Sequence, residues 1–203
     1  MTFLDKSSVV ERARGGEVLR LELGCGPRKV DPTAIGVDIL DCQGVDLVGE
    51  IFEVLDALPA ASCDAIYSAH FFEHVADLPR LLAAVARVLK PGARLTVVVP
   101  HFSNPFYYSD PTHKTPFGLY TMAYFCRQRL FTRTIPNYGL ETGLRLEHVS
   151  LGFKSYPPRY LRHAFKRLAG IVFNAGMYLR EFYEENLCWL VPCYEVRYEL
   201  ERE

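Results

Sequence analysis

The stretch Leu21-Glu22-Leu23-Gly24-Cys25-Gly26-Pro27, with Ile35-Gly36-Val37-Asp38 close behind it, constrains this chain more than any other. It reads as a buried strand, a glycine turn and a second buried strand that ends in a carboxylate. Two glycines let the backbone turn sharply and let a ligand approach without meeting a Cβ. Asp38, at the tip of the second strand, can accept two hydrogen bonds from a ribose diol. The pattern suits a nucleoside-bearing cofactor; a tight turn between two core strands with no ligand is the alternative.

Spacing separates the candidate cofactors. A dinucleotide site wants G-x-G-x-x-G opening a helix, with its acidic residue about 20 positions further on. Here Lys29 holds the third glycine position, and Asp38 comes too soon after Gly24. Pro27 and Asp31-Pro32 interrupt any long helix after the turn. No helix N-terminus is clearly placed to receive a pyrophosphate. Glu22 stands two residues before the first glycine, where a carboxylate suits a cationic ligand better than a phosphate. S-adenosylmethionine fits these features: it carries an ammonium, a sulfonium and a ribose, and no phosphate.

Past this unit, apolar runs alternate with helical patterns, which argues for an α/β sheet of parallel strands. Strands are expected at 18–23, 34–38, 45–48, 64–68 and 94–99, with a brief helical turn at 50–55. Asp77 caps a helix whose apolar residues Leu78, Leu81, Leu82, Val85, Val88 and Leu89 recur at three- and four-residue spacing, and Lys90-Pro91-Gly92 stops it. Leu95-Thr96-Val97-Val98-Val99 has the apolar, β-branched composition of a central strand covered on both faces. Residues 101–116 read as a loop rich in aromatics and proline, 118–129 as a helix, 144–153 and 189–200 as strands, and 159–185 as one long helical segment.

The segments LELGCG, GVDIL, SAHFFEHV and RVLKPGARLTVVVP follow one another in register across about residues 18–100. In this order and spacing the chain resembles the class I S-adenosylmethionine-dependent methyltransferases, and its form is most similar to the compact bacterial small-molecule subgroup. The resemblance implies a Rossmann-like, seven-stranded, mostly parallel sheet with an antiparallel last strand, and a helical insertion between the last two strands. It implies one domain over 1–203, with a cofactor-binding half at 18–100 and an acceptor-side half at 101–203. By the same resemblance Glu22, Gly24, Cys25 and Gly26 form the loop under the methionine moiety. Asp38 holds the ribose, Ile39 packs on the adenine, and Glu50 and Ile51 lie by the adenine amino group. Ser68, Ala69 and His70 face the transferable methyl, with His74 just beyond. The segment between the first two strands is shorter than the family norm, so its helix is expected to shrink to a turn, with Arg28 or Lys29 supplying the lost positive charge.

An oxygen acceptor must lose its proton during methyl transfer, and histidine is the usual tool near neutral pH. His101 follows the fifth expected strand at the carboxyl edge of the sheet, where ligands of open α/β folds bind. His113 lies in Ser109-Asp110-Pro111-Thr112-His113, where Asp110 can orient it or touch the acceptor. His101, His113 and Asp110 are therefore the candidate catalytic residues, and Phe106, Tyr107 and Tyr108 the candidate acceptor wall. Each has a structural alternative: loop capping for His101, turn initiation for Asp110, core packing for the aromatics. No regular metal-ligand spacing is present, and no metal is expected.

The expected activity is methyl transfer from S-adenosylmethionine, leaving S-adenosylhomocysteine, to the oxygen or nitrogen of a small molecule such as a saccharide, nucleotide-sugar or secondary metabolite. A protein or RNA methyltransferase and a non-catalytic cofactor-binding protein on the same fold are the alternatives. Lys plus Arg is 23 against 24 Asp plus Glu, so no general nucleic-acid footprint is expected. Six cysteines without a C-x-x-C pair point to reduced thiols and a cytoplasmic location. The N-terminus lacks the apolar run of a signal peptide. The longest weakly polar stretch, 168–179, contains Asn174 and is too short to span a bilayer. The basic and aromatic segment 159–185 is read as a helix packed on the sheet, a lid, a membrane-surface helix, or the contact for a homodimer or protein partner.

Overall fold

A computed structural model describes residues 3–136, 138–156 and 158–203. Eight strands form one sheet in the order β1-β4-β3-β2-β5-β6-β8-β7. They are β1 (Leu4–Asp5), β2 (Arg20–Leu23), β3 (Ile35–Asp38), β4 (Leu47–Val48), β5 (Cys63–Ala69), β6 (Leu89–Pro100), β7 (Leu144–Gly152) and β8 (Glu195–Arg202). β2 pairs in parallel with β3 and β5, β3 with β4, and β5 with β6. β8 runs antiparallel to both β6 and β7. The chain moves outward from β2 through β3 to β4, then returns to lay β5 on the other side of β2. That reversal opens a crevice at the carboxyl ends of β2 and β5, the general ligand position in such sheets.

Seven of these strands are the expected ones. The eighth, β1, is a two-residue edge strand antiparallel to β4, too short to leave a pattern in the sequence. It exists because Asp5 accepts hydrogen bonds from the amides of Ser7, Val9 and Val10, which also starts α1 (Val9–Arg14). Between β2 and β3 there is no helix, as the prolines require.

α2 (Ile51–Ala57) and α3 (Leu78–Val88) pack beside each other on the sheet. Asp77 caps α3 by accepting from the Arg80 amide, and Leu78, Leu81, Leu82, Val85 and Val88 are buried. Each such side chain contributes roughly 1.5–3 kcal/mol relative to exposure. In β6, Leu95, Val97, Val98 and Val99 are buried between β5 and β8, as a doubly covered strand demands. Lys90-Pro91-Gly92 does not separate helix from strand. β6 begins at Leu89, and the register with β5 jumps from Cys63↔Leu89 to Ala65↔Arg94. Gly92, at φ +77°, carries that irregularity.

Other expectations change in the second half. Residues 101–116 include a short helix, α4 (Pro105–Ser109), capped by the Asn104 side chain. The helix expected over 118–129 is only a 3-10 turn at Thr121–Tyr124. The Arg127 amide donates to the Leu144 carbonyl and its own carbonyl accepts from Leu146, so the backbone is drawn alongside β7. The last strand starts at Glu195, not 189. The Leu190 and Val191 amides turn back to the Leu187 carbonyl, and Pro192 has no N–H to offer a ladder.

The long helical segment is two helices, α5 (Tyr160–Phe173) and α6 (Met177–Asn186). Asn174 breaks it: its side chain accepts from the Leu151 amide and donates to the Leu151 and Gly170 carbonyls, which ties the end of α5 to β7. α5 buries Lys166 and Ala169 but leaves Leu161, Phe165, Leu168 and Ile171 exposed. No helix of the described residues is long and apolar enough to cross a membrane. All six cysteines are free.

Asp46 ties the first half together. It accepts from the Gly36 amide, the Ser7 hydroxyl and the Lys29 ammonium. Burial alone would raise its carboxyl, but these partners outweigh it and hold the group below the usual carboxylate range. A lowered folded-state value stabilises above the unfolded value, near pH 3.9, and the gain is lost as pH falls through the folded one. Asp46→Asn should therefore cost about 1–3 kcal/mol at neutral pH. Urea unfolding across pH should show the gap to the native chain closing below about pH 4; a gap constant in acid would contradict the assignment.

Candidate functional site

The carboxyl ends of β2, β3, β4 and β5 line one cleft of about 720 Å³. Gly24 follows the end of β2, Asp38 to Leu40 end and follow β3, Gly49 and Glu50 follow β4, Ile51 and Phe52 open α2, and His70 and Phe71 follow β5. His74, Val75, Ala76 and Thr112 close the other end. Gly24 stands at φ +65°, and a Cβ there would lie 2.5 Å from the Cβ of Phe71. No other residue fits that position. Gly26 is also left-handed, at φ +54°, with open space where its Cβ would be.

Asp38 reaches back to this turn. Its Oδ2 accepts from the Gly26 amide at 2.8 Å and its Oδ1 from the Leu40 amide at 2.9 Å. Each oxygen retains a lone pair for a ligand hydroxyl. Ile39 and Leu40 stand exposed in the cleft, and Ile51 lines it too. The Glu50 carboxylate caps α2 through the amides of Phe52 and Glu53. Apolar walls with one carboxylate at each side suit an adenosine, so the residues present fit a nucleoside cofactor.

Several sequence-predicted residues serve the frame instead. Glu22 is buried, and both its oxygens accept from the loop amides of Val30 and Asp31. It holds the β2–β3 loop and does not line the cleft. Cys25 is buried against Gly36. Burial, then Asp38 and Glu22, push its thiol up to about 11, so it is uncharged at neutral pH. Ser68 is buried and donates to the Leu23 carbonyl, cross-linking β5 to β2. Ala69 ends β5 one residue before the cleft wall.

His101 lies in the core. Its side chain is fully buried, with Nδ1 at 2.8 Å from the Ser103 hydroxyl and Nε2 at 3.0 Å from the Glu184 carboxylate. Its ring packs at a tilt against Phe102 and Tyr183, and His101 is not among the residues that line the cleft. Phe106 and Tyr108 are exposed and line two other hollows, while Tyr107 is buried beneath His113. The expected aromatic wall is therefore divided among three places.

What gathers at the far end of the cleft is a set of imidazoles. His70 is left-handed at φ +54°, with Nδ1 at 3.7 Å from Glu73 and Nε2 at 3.7 Å from Glu195. A non-glycine residue held there costs of order 1–3 kcal/mol and persists only where its surroundings fix it. His74 places Nδ1 at 2.9 Å from the Thr112 hydroxyl, which itself donates to Asp110. His113 places Nδ1 at 2.8 Å from the Tyr107 carbonyl and Nε2 at 3.7 Å from Asp110. The two rings are 4.8 Å apart. Hydrogen bonds from the Thr112 side chain and amide hold the Asp110 carboxyl below its usual range. Asp110 and His113 thus meet as expected, but through Thr112 they also engage His74. Sequence reasoning missed Thr112, Phe71, Gly49 and Phe52; only Thr112 had a signal, its place inside the Asp110–His113 segment.

Residues 29–97 match a family model described as a methyltransferase domain. A comparison with curated proteins finds no match. Among solved structures, a SAM dependent methyltransferase from Archaeoglobus fulgidus is similar at 19% identity and a TM-score of 0.56, covering 98% of this chain and 94% of its own. An S-adenosylmethionine dependent methyltransferase from Mesorhizobium loti is similar at 15% identity and 0.51, covering 95% and 96%. A geranyl diphosphate methyltransferase in complex with SAM is similar at 14% and 0.50, covering 93% and 79%. At these identities the likeness is one of fold.

His101→Ala should lower stability by about 1–3 kcal/mol, because Glu184 is left half-partnered in the core. Guanidinium unfolding measures that loss. Cofactor affinity measured on the same variant should be unchanged, and a loss of affinity without a loss of stability would place His101 in the cleft after all.

Proposed function

We propose that the chain is a class I S-adenosylmethionine-dependent methyltransferase, and that it methylates a small, anionic acceptor held at the His70–His74–Thr112 end of the cleft. The observation that carries this reading is one cleft lined by Asp38 and, at its other end, by His70 and His74, with His113 packed against His74. Its volume, about 720 Å³, lies in the range of small-molecule sites.

Asp38 would hold the ribose hydroxyls, and the Gly24–Gly26 turn would pass beneath the methionine portion. Ile39, Leu40 and Phe52 would cover the adenine. When bound, S-adenosylmethionine supplies a methyl group on a sulfonium, open to in-line displacement. The chain's task is then to hold the acceptor in line, since positioning alone supplies much of such a rate. A hydroxyl acceptor must also give up a proton. Thr112 directs its one proton to Asp110, so it accepts from Nδ1–H of His74; Nδ1–H of His113 donates to the Tyr107 carbonyl. In the neutral state both rings therefore keep Nε2 unprotonated, and His74, which lines the cleft, offers the bare imidazole lone pair that a general base requires.

The acceptor's anionic character is inferred from the hollow beyond His70. His70 faces Glu195, Glu195 pairs with Lys154 at 2.6 Å, and Lys154 lines a hollow of about 490 Å³ with Arg159, Arg162 and Lys166. Neither arginine has an ion-pair partner among the described residues. A phosphate-bearing acceptor such as a nucleotide-sugar could lay its anion there and its nucleophile at His70. No residue of α5 or α6 lines the cofactor cleft among the described residues, which favours a binding wall over a lid. The exposed apolar side of α5 has the character of a protein contact. Six free thiols support a cytoplasmic setting.

Asp38→Ala should weaken S-adenosylmethionine binding by about 1–3 kcal/mol in calorimetry; unchanged affinity would reject the ribose assignment. With labelled cofactor, an acceptor screen over phosphorylated and neutral sugars, phenols and amines should select a phosphorylated one. Arg159→Ala with Arg162→Ala should then raise its KM about tenfold or more with kcat nearly kept, as lost charge-assisted bonds require. Selection of a neutral acceptor, indifferent to both arginines, would refute the anionic reading.

A further inference from the structure

We propose that Glu73, His74 and His113 bind a divalent transition-metal ion, zinc or a first-row neighbour, at the acceptor end of the cleft. One ligand atom from each lies within 4.8 Å of the others. The first observation is an orphaned carboxylate oxygen. Glu73 is 1% exposed, and its Oε2 has no hydrogen-bond partner among the described residues. An unpaired buried carboxylate oxygen is expensive to leave so, and a cation removes the expense.

The second observation is independent of the first. Thr112 and the Tyr107 carbonyl each engage the Nδ1 of one ring, which leaves the Nε2 of His74 and of His113 as lone pairs. Metal-ligating histidines characteristically donate their other N–H to a carbonyl or, directly or through a relay, to a carboxylate. Here His113 uses a carbonyl, and His74 uses Asp110 through Thr112. The ring orientations a metal needs are thus already set by the surrounding groups.

The backbone fixes the same arrangement. Glu73 and His74 sit in a 3-10 turn at Phe72–His74, and the Glu73 carbonyl accepts from the amides of Lys114 and Thr115 at 2.7 and 3.2 Å. The two segments that carry the ligands are stitched together beside the ligands themselves. Ligands at zinc bond lengths stand roughly 3.3 Å apart in a tetrahedral site, so the side chains would draw inward by about an ångström on binding. Two imidazoles and one carboxylate suit zinc, iron(II) or cobalt, and not magnesium or calcium, which prefer all-oxygen sites. Three protein ligands also leave a coordination position open, and His74 and Thr112 line the cleft toward which it would face. Only the occupant of that position, an acceptor heteroatom in place of water, rests on the methyl-transfer reading above; in the metal-bound state the Nε2 lone pairs are ligands, and the ion, not a free imidazole, would lower the acceptor's proton affinity.

The test is a titration of the chelator-treated full chain with cobalt(II), followed by visible ligand-field absorption and calorimetry, with zinc(II) as competitor. One equivalent should bind and produce the intense band of a four- or five-coordinate nitrogen–oxygen site, and zinc should displace it. Glu73→Gln, which keeps the shape, and His113→Ala should each weaken binding at least a hundredfold, with circular dichroism confirming that each variant is folded. Absence of cobalt and zinc binding through the millimolar range would overturn the proposal, as would equal binding by folded variants. S-adenosylmethionine affinity measured on the same samples separates the two readings: a chain that binds the cofactor and no metal sinks this site and leaves the methyltransferase assignment standing.

Discussion

The close approach of Phe71 to Gly24 is the contact on which the cleft depends. It leaves no room for a Cβ on the β2 turn and sets the segment that follows β5 directly against it. His70 immediately precedes Phe71 and takes a left-handed backbone; the turn bearing Glu73 and His74 follows at once. The Asp38 end of the cleft and the imidazole end are therefore not two sites brought together by a flexible chain. They are two sides of one packed contact, and the strain at His70 is tolerated because its neighbours on both sides are fixed.

The first half of the chain was legible in its sequence for a simple reason. Buried parallel strands and a helix with one apolar face repeat a pattern over enough residues to be read, as in Leu95–Val99 and Leu78–Val88. The second half depends on single hydrogen bonds that leave no periodic mark. Asn174 divides one helical run into α5 and α6, and the Arg127 backbone turns a helical stretch toward β7. Pattern reading has no means of seeing either.

The same distinction holds within the site. Asp38 and Gly24 stand where the strand-turn-strand unit puts them, because local geometry alone determines their position. His101 and His113 looked alike in the sequence, two histidines in one polar loop. Their fates differ through residues far away in the chain: Glu184 of α6 draws His101 into the core, while Tyr107 and Asp110 keep His113 beside His74. Glu22, which as a residue beside the turn suggested a cationic ligand, instead satisfies the amides of Val30 and Asp31. A carboxylate near a ligand loop can stabilise the loop itself, and sequence does not distinguish the two uses.

That Glu22 clasp has an entropic meaning. With no helix between β2 and β3, the connecting loop could have been a slack tether that orders only around its ligand. Because a buried carboxylate anchors it from within, its conformational entropy is surrendered when the chain folds and not again at each encounter. The Gly24 turn, from which this loop departs and which does line the cleft, is thereby set before any ligand arrives.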